Sequence, residues 1–388
     1  MTYDFKQFID RENTRAAKFV FREKLFGRSD VLPLWVADMD FSSVPELQEA
    51  LIERAKHNIY GYTMYDDEIL NAVTNWLKER HDYDVDSELL SFSPGVIPSL
   101  HALVQIFTEE NDQIVIQPPV YPPFFSVVKA HNRELVENPL INENGHYKMD
   151  FDHLEETFKN GAKAFILCSP HNPVGRVWTK GELQTLADLC VKYDVYLFSD
   201  EIHADIIFNG HKHLAVATLN EQIAEKTFTL MAPSKTFNIA GLQASYVISP
   251  NKELKEKVDQ QLMRQGFSML NTFAYTALEA VYKHGADWLD ALIEQLEENK
   301  QLIDQKLEES NAPITSVQTE GTYLVWLDFS KTGLDHDEIK RKLNDEAKVG
   351  LNDGKSFGEQ GEQFMRINIA SPPSTIEEGI DRIIKAFE

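Results

Sequence analysis

The chain has 388 residues, and its 38 Lys and Arg against 62 Asp and Glu give a formal net charge of −24. The hydrophobic fraction of 43% is enough for a large buried core and excludes a mostly disordered chain. The acidic balance argues against a nucleic-acid or anionic-membrane surface, because both select for Lys and Arg. The sequence contains no signal-peptide pattern and no apolar run long enough to span a membrane, so we expect a cytoplasmic protein.

The chain contains two cysteines, Cys168 and Cys190. Two cysteines are too few for a disulfide framework or for a four-cysteine zinc site. We therefore expect both thiols to be reduced and buried, and we predict no metal site.

Strand-like and helical segments alternate through the middle of the chain. Several strand-like segments are almost continuously apolar, which is typical of parallel strands that helices cover on both faces. Thr179 and Glu182 have the spacing of a capping box, which predicts a helix over 183–193, and a helical pattern also covers 97–110. The alternation predicts an α/β domain with a mostly parallel sheet over residues 46–285, with strands at 89–93, 113–117, 164–169, 195–199, 227–231 and 243–249.

The two ends of the chain have a different pattern. One long amphipathic helix is predicted over 288–309 by its apolar stripe. This pattern predicts a smaller α+β domain, which is formed by residues 286–388 together with residues 1–45. Its further elements are expected to be a strand at 322–329, a helix near 336–348, a strand at 364–369 and a last helix that begins at a capping box of Ser374 and Glu377.

Unusual residues follow the predicted strands of the larger domain. Because open parallel sheets bind ligands at the carboxyl ends of their strands, these residues are candidate site residues. Gly95 stands between a strand and a helix, where backbone N–H groups can bind a phosphate, although a glycine there also serves as a plain turn residue. Tyr121 lies among four prolines in residues 118–123, so its ring is either held for stacking on a planar ligand or belongs to an ordered turn.

Three further candidates follow the next strands. Asn172 precedes a proline in a tight loop and is a candidate for a cis peptide bond. Asp200 can meet a cationic ligand group or cap its own loop. Lys235 lies between two hydroxyl residues just after a buried strand, where it is either a solvated loop lysine or a nucleophile whose pKa is lowered by burial. The possible metal ligands near Asp200 match no zinc pattern; they are Glu201, His203 and Asp205.

Together these residues predict a pocket for pyridoxal 5′-phosphate, which is a planar, phosphorylated, cationic aldehyde. Lys235 would form a Schiff base with the aldehyde, and Asp200 would keep the pyridine nitrogen protonated so that the ring can accept electrons. The ring of Tyr121 would stack on the cofactor, and the helix after Gly95 would bind its phosphate.

Over nearly its whole length the chain resembles the fold-type I pyridoxal-phosphate enzymes of the class I/II aminotransferase family. The matching runs follow the family's order and spacing, and they are 169–175 around Asn172, 200–203 from Asp200 and 234–242 around Lys235. Within the family the chain is similar to the cystathionine β-lyase branch called MalY/PatB, through runs 35–41, 60–63, 93–97, 200–203 and 287–292. The resemblance implies an α/β fold whose large domain has a mostly parallel, seven-stranded sheet, a smaller α+β domain, and a homodimer.

The resemblance also implies a role for each site residue. Lys235 carries the cofactor and removes the Cα proton of the substrate, and Arg366 binds the substrate α-carboxylate. Gln243 and Ala232 depart from the family, because many relatives place a phosphate-binding Arg and Ser at these positions. The other implied contacts are Asp200 on the ring nitrogen, Asn172 on the ring hydroxyl or the substrate carboxylate, His203 beside that hydroxyl, Tyr121 stacked on the ring and near the substrate, and Gly95, Val96, Ile97, Ser234 and Tyr62 of the partner subunit at the phosphate.

From the branch resemblance we predict a C–S β-lyase that eliminates a thiol from cystathionine or cysteine and leaves pyruvate and ammonia. An aminotransferase with the same Lys235 is the alternative, since the site residues alone do not separate the two reactions. A third hypothesis is a regulatory protein that binds the cofactor and a partner. A phosphate-loop NTPase is set aside, because residues 350–356 are one residue short of the Walker A pattern; we expect a surface loop that enters the pocket.

Overall fold

The computed structural model describes residues 3–388. Short strands fill the middle and the last quarter of the chain, and most of them are buried. They are β1 (Leu32–Pro33), β2 (Leu90–Ser93), β3 (Gln113–Ile116), β4 (Glu134–Glu137), β5 (Ile141–Glu143), β6 (His146–Lys148), β7 (Ala164–Cys168), β8 (Tyr196–Asp200), β9 (Thr227–Met231), β10 (Ser245–Ile248), β11 (Thr315–Ser316), β12 (Leu324–Asp328), β13 (Val349–Gly350), β14 (Asn352–Asp353) and β15 (Phe364–Asn368).

Helices separate most of the strands. They are α1 (Ala17–Val20), α2 (Arg22–Phe26), α3 (Pro45–Lys56), α4 (Asp67–His81), α5 (Val96–Phe107), α6 (Pro123–Ala130), α7 (Phe151–Lys159), α8 (Lys180–Tyr193), α9 (Glu221–Ala224), α10 (Pro233–Thr236), α11 (Lys252–Arg264), α12 (Thr272–His284), α13 (Ala286–Glu309), α14 (His336–Arg341) and α15 (Pro373–Phe387). In residues 3–388 no helix is both long enough and apolar enough to cross a membrane.

A seven-stranded sheet forms the centre of the fold, in the order β2-β10-β9-β8-β7-β3-β4. Only β10 runs antiparallel to its neighbours. All five residues of β7 are buried, as are all five of β9, because helices cover both faces of the sheet. The predicted α/β class and the mostly parallel sheet are confirmed, and one edge of the sheet collects the carboxyl ends of six strands.

A second sheet lies nearer the carboxyl terminus, in the antiparallel order β11-β12-β15-β14. The N-terminal segment joins this region, because β1 pairs in parallel with β13 through Leu32 and Val349. The side chains of the second sheet pack against α13 and α15 in one apolar cluster that also includes Leu34. The division of the chain at residues 46 and 286 stays a prediction, although the two sheets lie on either side of residue 286.

Local signals succeeded for some helices and failed for others. The capping box at Thr179 and Glu182 is present and starts α8. The predicted capping box of the last helix is wrong, because α15 starts at Pro373 and places Ser374 inside its first turn without a side-chain cap. The helix predicted near 336–348 is α14 followed directly by a π-helical turn over Lys342–Ala347. Such a wide turn has no distinct apolar period, which explains why the sequence predicted one continuous helix across it.

Candidate active site

A cavity of about 360 Å³ lies at the carboxyl ends of β2, β3, β7, β8 and β9. The sheet explains this position, because every one of these strands points to the same edge. All the predicted site residues except Tyr62 line the cavity; they are Gly95, Val96, Ile97, Tyr121, Asn172, Asp200, His203, Ser234, Lys235 and Arg366. The structure therefore brings together residues that lie as far as 271 positions apart (366 − 95).

Lys235 lies in the short helix α10, directly after the buried strand β9. Its Nζ donates a hydrogen bond to the backbone carbonyl of Ala37 at 2.9 Å. Burial, together with the positive charge of Arg366, lowers the pKa of Lys235 to about 8, while Asp38 and Asp200 act in the opposite direction. At neutral pH about a tenth of this amine is therefore unprotonated, far more than for an exposed lysine. The interpretation of Lys235 as a solvated loop residue is wrong.

Asp200 ends β8 and is buried at the floor of the cavity. One of its oxygens accepts the backbone N–H of Ile202 at 3.1 Å. Burial raises the pKa of Asp200 to about 7, against the lowering effects of that hydrogen bond and of Lys235. In residues 3–388 no Lys, Arg or His lies within ion-pair distance of this carboxylate. A buried carboxylate without a cationic partner is costly, and a cationic ligand group would relieve that cost.

Arg366 lies on β15 and reaches into the cavity from the second sheet. Its Nη1 donates to Asn172 Oδ1 at 3.0 Å, and its Nη2 donates to the Trp35 carbonyl at 3.0 Å and to Asn352 Oδ1 at 2.5 Å. Its Nε has no partner, and burial lowers its pKa to about 10. No carboxylate of residues 3–388 pairs with this guanidinium, which lines the cavity, so a ligand anion can pair with it there.

The opposite part of the cavity is suited to a phosphate. Gly95 precedes the twelve-residue helix α5, whose first N–H groups have no intrahelical partner and carry the positive end of the helix dipole. Ser234 and Gln243 line the same cavity. Among the lining residues the cationic side chains are Lys235 and Arg366, so the neutral Gln243 leaves this part without a cation from its own chain.

Two rings border the space between these parts. Tyr121 lines the cavity and makes an edge contact with Phe124, with ring centroids 5.8 Å apart. His203 is buried, its Nδ1 has no hydrogen-bond partner, and its burial lowers the pKa of the imidazole well below the usual value. A neutral imidazole with a free nitrogen can donate to or accept from a ligand hydroxyl.

A second layer of buried polar residues supports this floor. Asp205 accepts hydrogen bonds from Trp76 at 3.0 Å, from Thr236 at 2.6 Å, and pairs with His81 at 2.8 Å. Burial raises the pKa of Asp205, but these partners lower it by more, so the carboxylate stays ionised. Because Thr236 follows Lys235 in α10, this network fixes the backbone that carries the lysine.

Several lining residues were missed by the sequence reasoning. Trp35 and Ala37 come from the segment between β1 and α3, and Ala37 also accepts the Tyr323 hydroxyl at 3.1 Å. Ile202 follows Asp200 on the floor of the cavity, and Asn352 reaches it from β14. For Trp35, Ala37 and Ile202 the available signal was their position within the motifs 35–41 and 200–203, and Asn352 lies in the run 350–356 that was expected to enter the pocket.

Four further expectations can be compared with the structure. Tyr62 lies outside the cavity and is 97% exposed, so a single chain does not bring it to the site. The peptide bond before Pro173 is cis, as expected. Cys168 and Cys190 are free and buried, and Cys168 lines the cavity. Residues 350–356 do not form a surface loop, since they include the edge strand β14 and a turn of 3₁₀-helix, but they reach the pocket as expected, because Asn352 lines the cavity.

The residues present fit pyridoxal 5′-phosphate. Asp200 lacks a cation and would hold the pyridinium nitrogen, while His203, which lines the cavity, would meet the ring hydroxyl. Lys235 would take the aldehyde carbon, and the start of α5 would hold the phosphate. Among residues 3–388 no group of three or more His, Cys, Asp or Glu side chains has the arrangement of a metal site.

Comparisons with known proteins agree with this fit. The chain matches the family described as aminotransferase class I and II over residues 29–383. It is 42% identical to cystathionine beta-lyase PatB of Bacillus subtilis over 388 residues, which covers 100% of both chains.

Solved structures show the same relationship. Cystalysin from Treponema denticola, which contains a pyridoxal 5′-phosphate cofactor, is 38% identical with a TM-score of 0.95 and covers 100% of this chain and 99% of its own. The pyridoxal-phosphate-bound C–S lyase from Staphylococcus hominis is 32% identical with a TM-score of 0.92, covering 100% and 98%. The chain therefore belongs to the class I and II aminotransferase family, in the branch that includes PatB.

Proposed function

We propose that the protein is a pyridoxal-phosphate-dependent C–S β-lyase that acts on cystathionine- or cysteine-type amino acids. The observation that carries this proposal is the cavity in which a buried amine with a lowered pKa, a buried unpaired carboxylate and an unpaired guanidinium meet: Lys235, Asp200 and Arg366. The relatives named as cystathionine β-lyase and C–S lyase, similar over their whole length, support the reaction type.

The bound cofactor supplies an electron sink for the charge that develops when the substrate loses its Cα proton. Asp200 keeps that sink effective, because a buried carboxylate without another partner holds the ring nitrogen protonated. Tyr121 and Ile202 line the cavity, where they would restrict the orientation of the cofactor ring and exclude water.

Arg366 and Asn172 orient the substrate. The guanidinium offers a planar, forked set of donors that suits the α-carboxylate of an amino acid, and Asn172 fixes one of its nitrogens at 3.0 Å. The Trp35 carbonyl and Asn352 Oδ1 each accept a hydrogen bond from Nη2 of the same guanidinium. A substrate carboxylate competes for these donors as an anion, which a neutral carbonyl or amide cannot match.

Lys235 acts as the base. Its neutral form accepts the Cα proton, and its lowered pKa makes that form available near neutral pH. The Cβ–S bond then breaks, the electron pair leaves with sulfur as a thiolate, and water hydrolyses the remaining enamine fragment to pyruvate and ammonia. A thiolate is a good leaving group, which favours elimination over transamination.

Product analysis tests the proposed reaction. Incubation with cystathionine is expected to yield pyruvate and a free thiol in equal amounts, and Lys235→Ala should abolish both. Formation of a keto acid only after addition of an acceptor keto acid, without a thiol, would identify an aminotransferase instead. A Lys235→Ala strain that keeps the full cellular role would favour the regulatory hypothesis.

We also propose that the active protein is a cytoplasmic homodimer in which Tyr62 of one subunit reaches the phosphate of the other. The segment that carries Tyr62 exposes a group of large apolar side chains that a partner would cover: Ile59, Tyr60, Tyr62 and Met64, each more than half exposed. If the sites are shared, mixing inactive Lys235→Ala subunits with Tyr62→Ala subunits creates one intact site in each hybrid and restores activity. No restored activity in hybrids verified by mass would refute shared sites.

A further inference from the structure

A second cavity, of about 300 Å³, adjoins the active-site cavity. Trp35 and Asn352 line both cavities, so these two side chains form a wall that the cavities share. The indole of Trp35 is held by its hydrogen bond to the Lys18 carbonyl at 3.1 Å. Asn352 accepts from Arg366 at 2.5 Å, which places the second cavity one side chain beyond the proposed carboxylate anchor. Its volume is at the lower end of the range for small-molecule pockets.

The walls of this second cavity combine apolar and charged groups. Trp35, Leu25 and Leu343 are among its apolar side chains, while Lys340 and Asp353 form an ion pair in it with 2.6 Å between Nζ and Oδ2. The two charged side chains are 41% and 34% exposed. An ion pair with this exposure contributes little to stability, so a ligand that carries both charges can replace each partner at small cost.

The carboxylate of Asp353 stays in place without Lys340. His336 Nδ1 accepts the Gln363 backbone N–H at 3.0 Å, so its Nε2 carries the proton and donates to Asp353 at 2.7 Å. The backbone N–H of Lys355 donates to the same oxygen at 2.9 Å. Asn344 lies one turn after Lys340 and lines the cavity, and its side chain makes no hydrogen bond within the described part of the chain.

On the basis of the proposed lyase function, we infer that the second cavity binds the sulfur substituent of a thioether substrate and recognises a zwitterionic amino-acid end. The distal carboxylate pairs with Lys340, the distal ammonium with Asp353, and the methylene chain lies against the apolar walls. Arg366 in the first cavity and Lys340 in the second then match the two carboxylates of a thioether such as cystathionine. Cysteine has no substituent and leaves this cavity to solvent.

Three substrates with matched variants test the inference. Cystathionine has a zwitterionic substituent, S-butylcysteine has an uncharged one of similar length, and cysteine has none. Lys340→Met should lower kcat/KM roughly fivefold for cystathionine and leave the other two substrates unchanged. Lys355→Met is the control, because Lys355 has nearly the same exposure, 39%, lies close by in the sequence and does not line the cavity.

A second variant tests the shape of the cavity. Leu25 is 49% exposed at the rim, so Leu25→Trp fills the space without disturbing the core. It should lower kcat/KM for cystathionine and S-butylcysteine together and spare cysteine. Equal losses for all three substrates, or no loss for cystathionine with Lys340→Met, would overturn the inference.

Calorimetry separates this inference from the proposed reaction. Cystathionine titrated into cofactor-loaded Lys235→Ala protein measures binding without turnover, and adding Lys340→Met should weaken that binding roughly fivefold. Weakened binding in a protein whose wild type releases no pyruvate from any of the three substrates would refute the lyase function and support the cavity's role. Unchanged binding would refute the role of Lys340 whatever the reaction is.

Discussion

Replacing Asp200 with Asn should make the cofactor-free protein more stable. The same change should abolish the enzymatic activity. The carboxylate is buried, has no cationic partner among residues 3–388, and burial raises its pKa from 3.8 to about 7. At 1.36 kcal/mol for each pKa unit, this difference corresponds to about 4 kcal/mol of unfavourable free energy at pH 8. Asn has nearly the same shape and carries no charge, so the Asp200→Asn protein avoids this penalty.

The stability advantage of Asp200→Asn should depend on pH. Because the folded-state pKa lies above the unfolded-state value, the wild-type protein loses stability as the pH rises from about 4 to about 7 and loses no more above that. The advantage of Asp200→Asn should therefore be full at pH 8 and about 2 kcal/mol smaller at pH 5.5. Urea unfolding of both cofactor-free proteins at the two pH values measures the free energies.

Asp205→Asn is the matched control, because Asp205 is equally buried but well paired. Its hydrogen bonds from His81, Thr236 and Trp76 lower its pKa overall, and an amide has one acceptor oxygen in place of two and no charge, so it cannot keep all three bonds. This variant should be destabilised by about 3 to 5 kcal/mol. Our reasoning would be refuted if Asp200→Asn were no more stable than wild type at pH 8, or if its advantage did not change between the two pH values.

Three further predictions concern the site. Because the pKa of Lys235 is lowered to about 8, the rate at which added cofactor attaches to cofactor-free protein should rise about tenfold from pH 6 to pH 7 and level off above 8, as measured by visible absorbance; a rise that continues to pH 10 would contradict this. Arg366→Lys should lower kcat/KM about 100-fold for every substrate while the cofactor absorbance stays, because Lys cannot offer the forked donors; a change below threefold would exclude the anchor role. Tyr62→Phe should weaken cofactor retention about tenfold in equilibrium dialysis. Tyr60→Phe is the control and should not weaken it, because the Tyr60 hydroxyl donates to the Ala55 carbonyl of its own chain. Equal effects of the two variants would argue against a phosphate contact by Tyr62.

Most of the central sheet could be predicted because its signals are local. Buried parallel strands are short and continuously apolar, and the predicted strand over residues 227–231 coincides with β9. The candidate residues after these strands meet in one cavity because the direction of parallel strands alone determines that edge. Asn172, Asp200 and Lys235 could therefore be placed together before any contact was known.

The contribution of the N-terminal segment could not be predicted in the same way. Its backbone carbonyls at Trp35 and Ala37 accept hydrogen bonds from Arg366 and Lys235, which are 331 and 198 residues away along the chain. A carbonyl group is present at every position, so no residue type marks these two as special. The second cavity could not be predicted either, because its walls come from five separate segments, 25–26, 35, 340–344, 351–356 and 365.

The hydrogen bonds of the Trp35 and Ala37 carbonyls have a consequence for how the protein is made. The amine and the guanidinium that they accept from are synthesised far apart in time, since Arg366 follows Lys235 by 131 residues (366 − 235). A ribosome-bound chain that has exposed Lys235 but not Arg366 lacks both the substrate anchor and the positive charge that helps to lower the pKa of the amine. Competence for amino-acid chemistry therefore arises only after Arg366 has been synthesised and β15 has come together with the segment that carries Trp35 and Ala37.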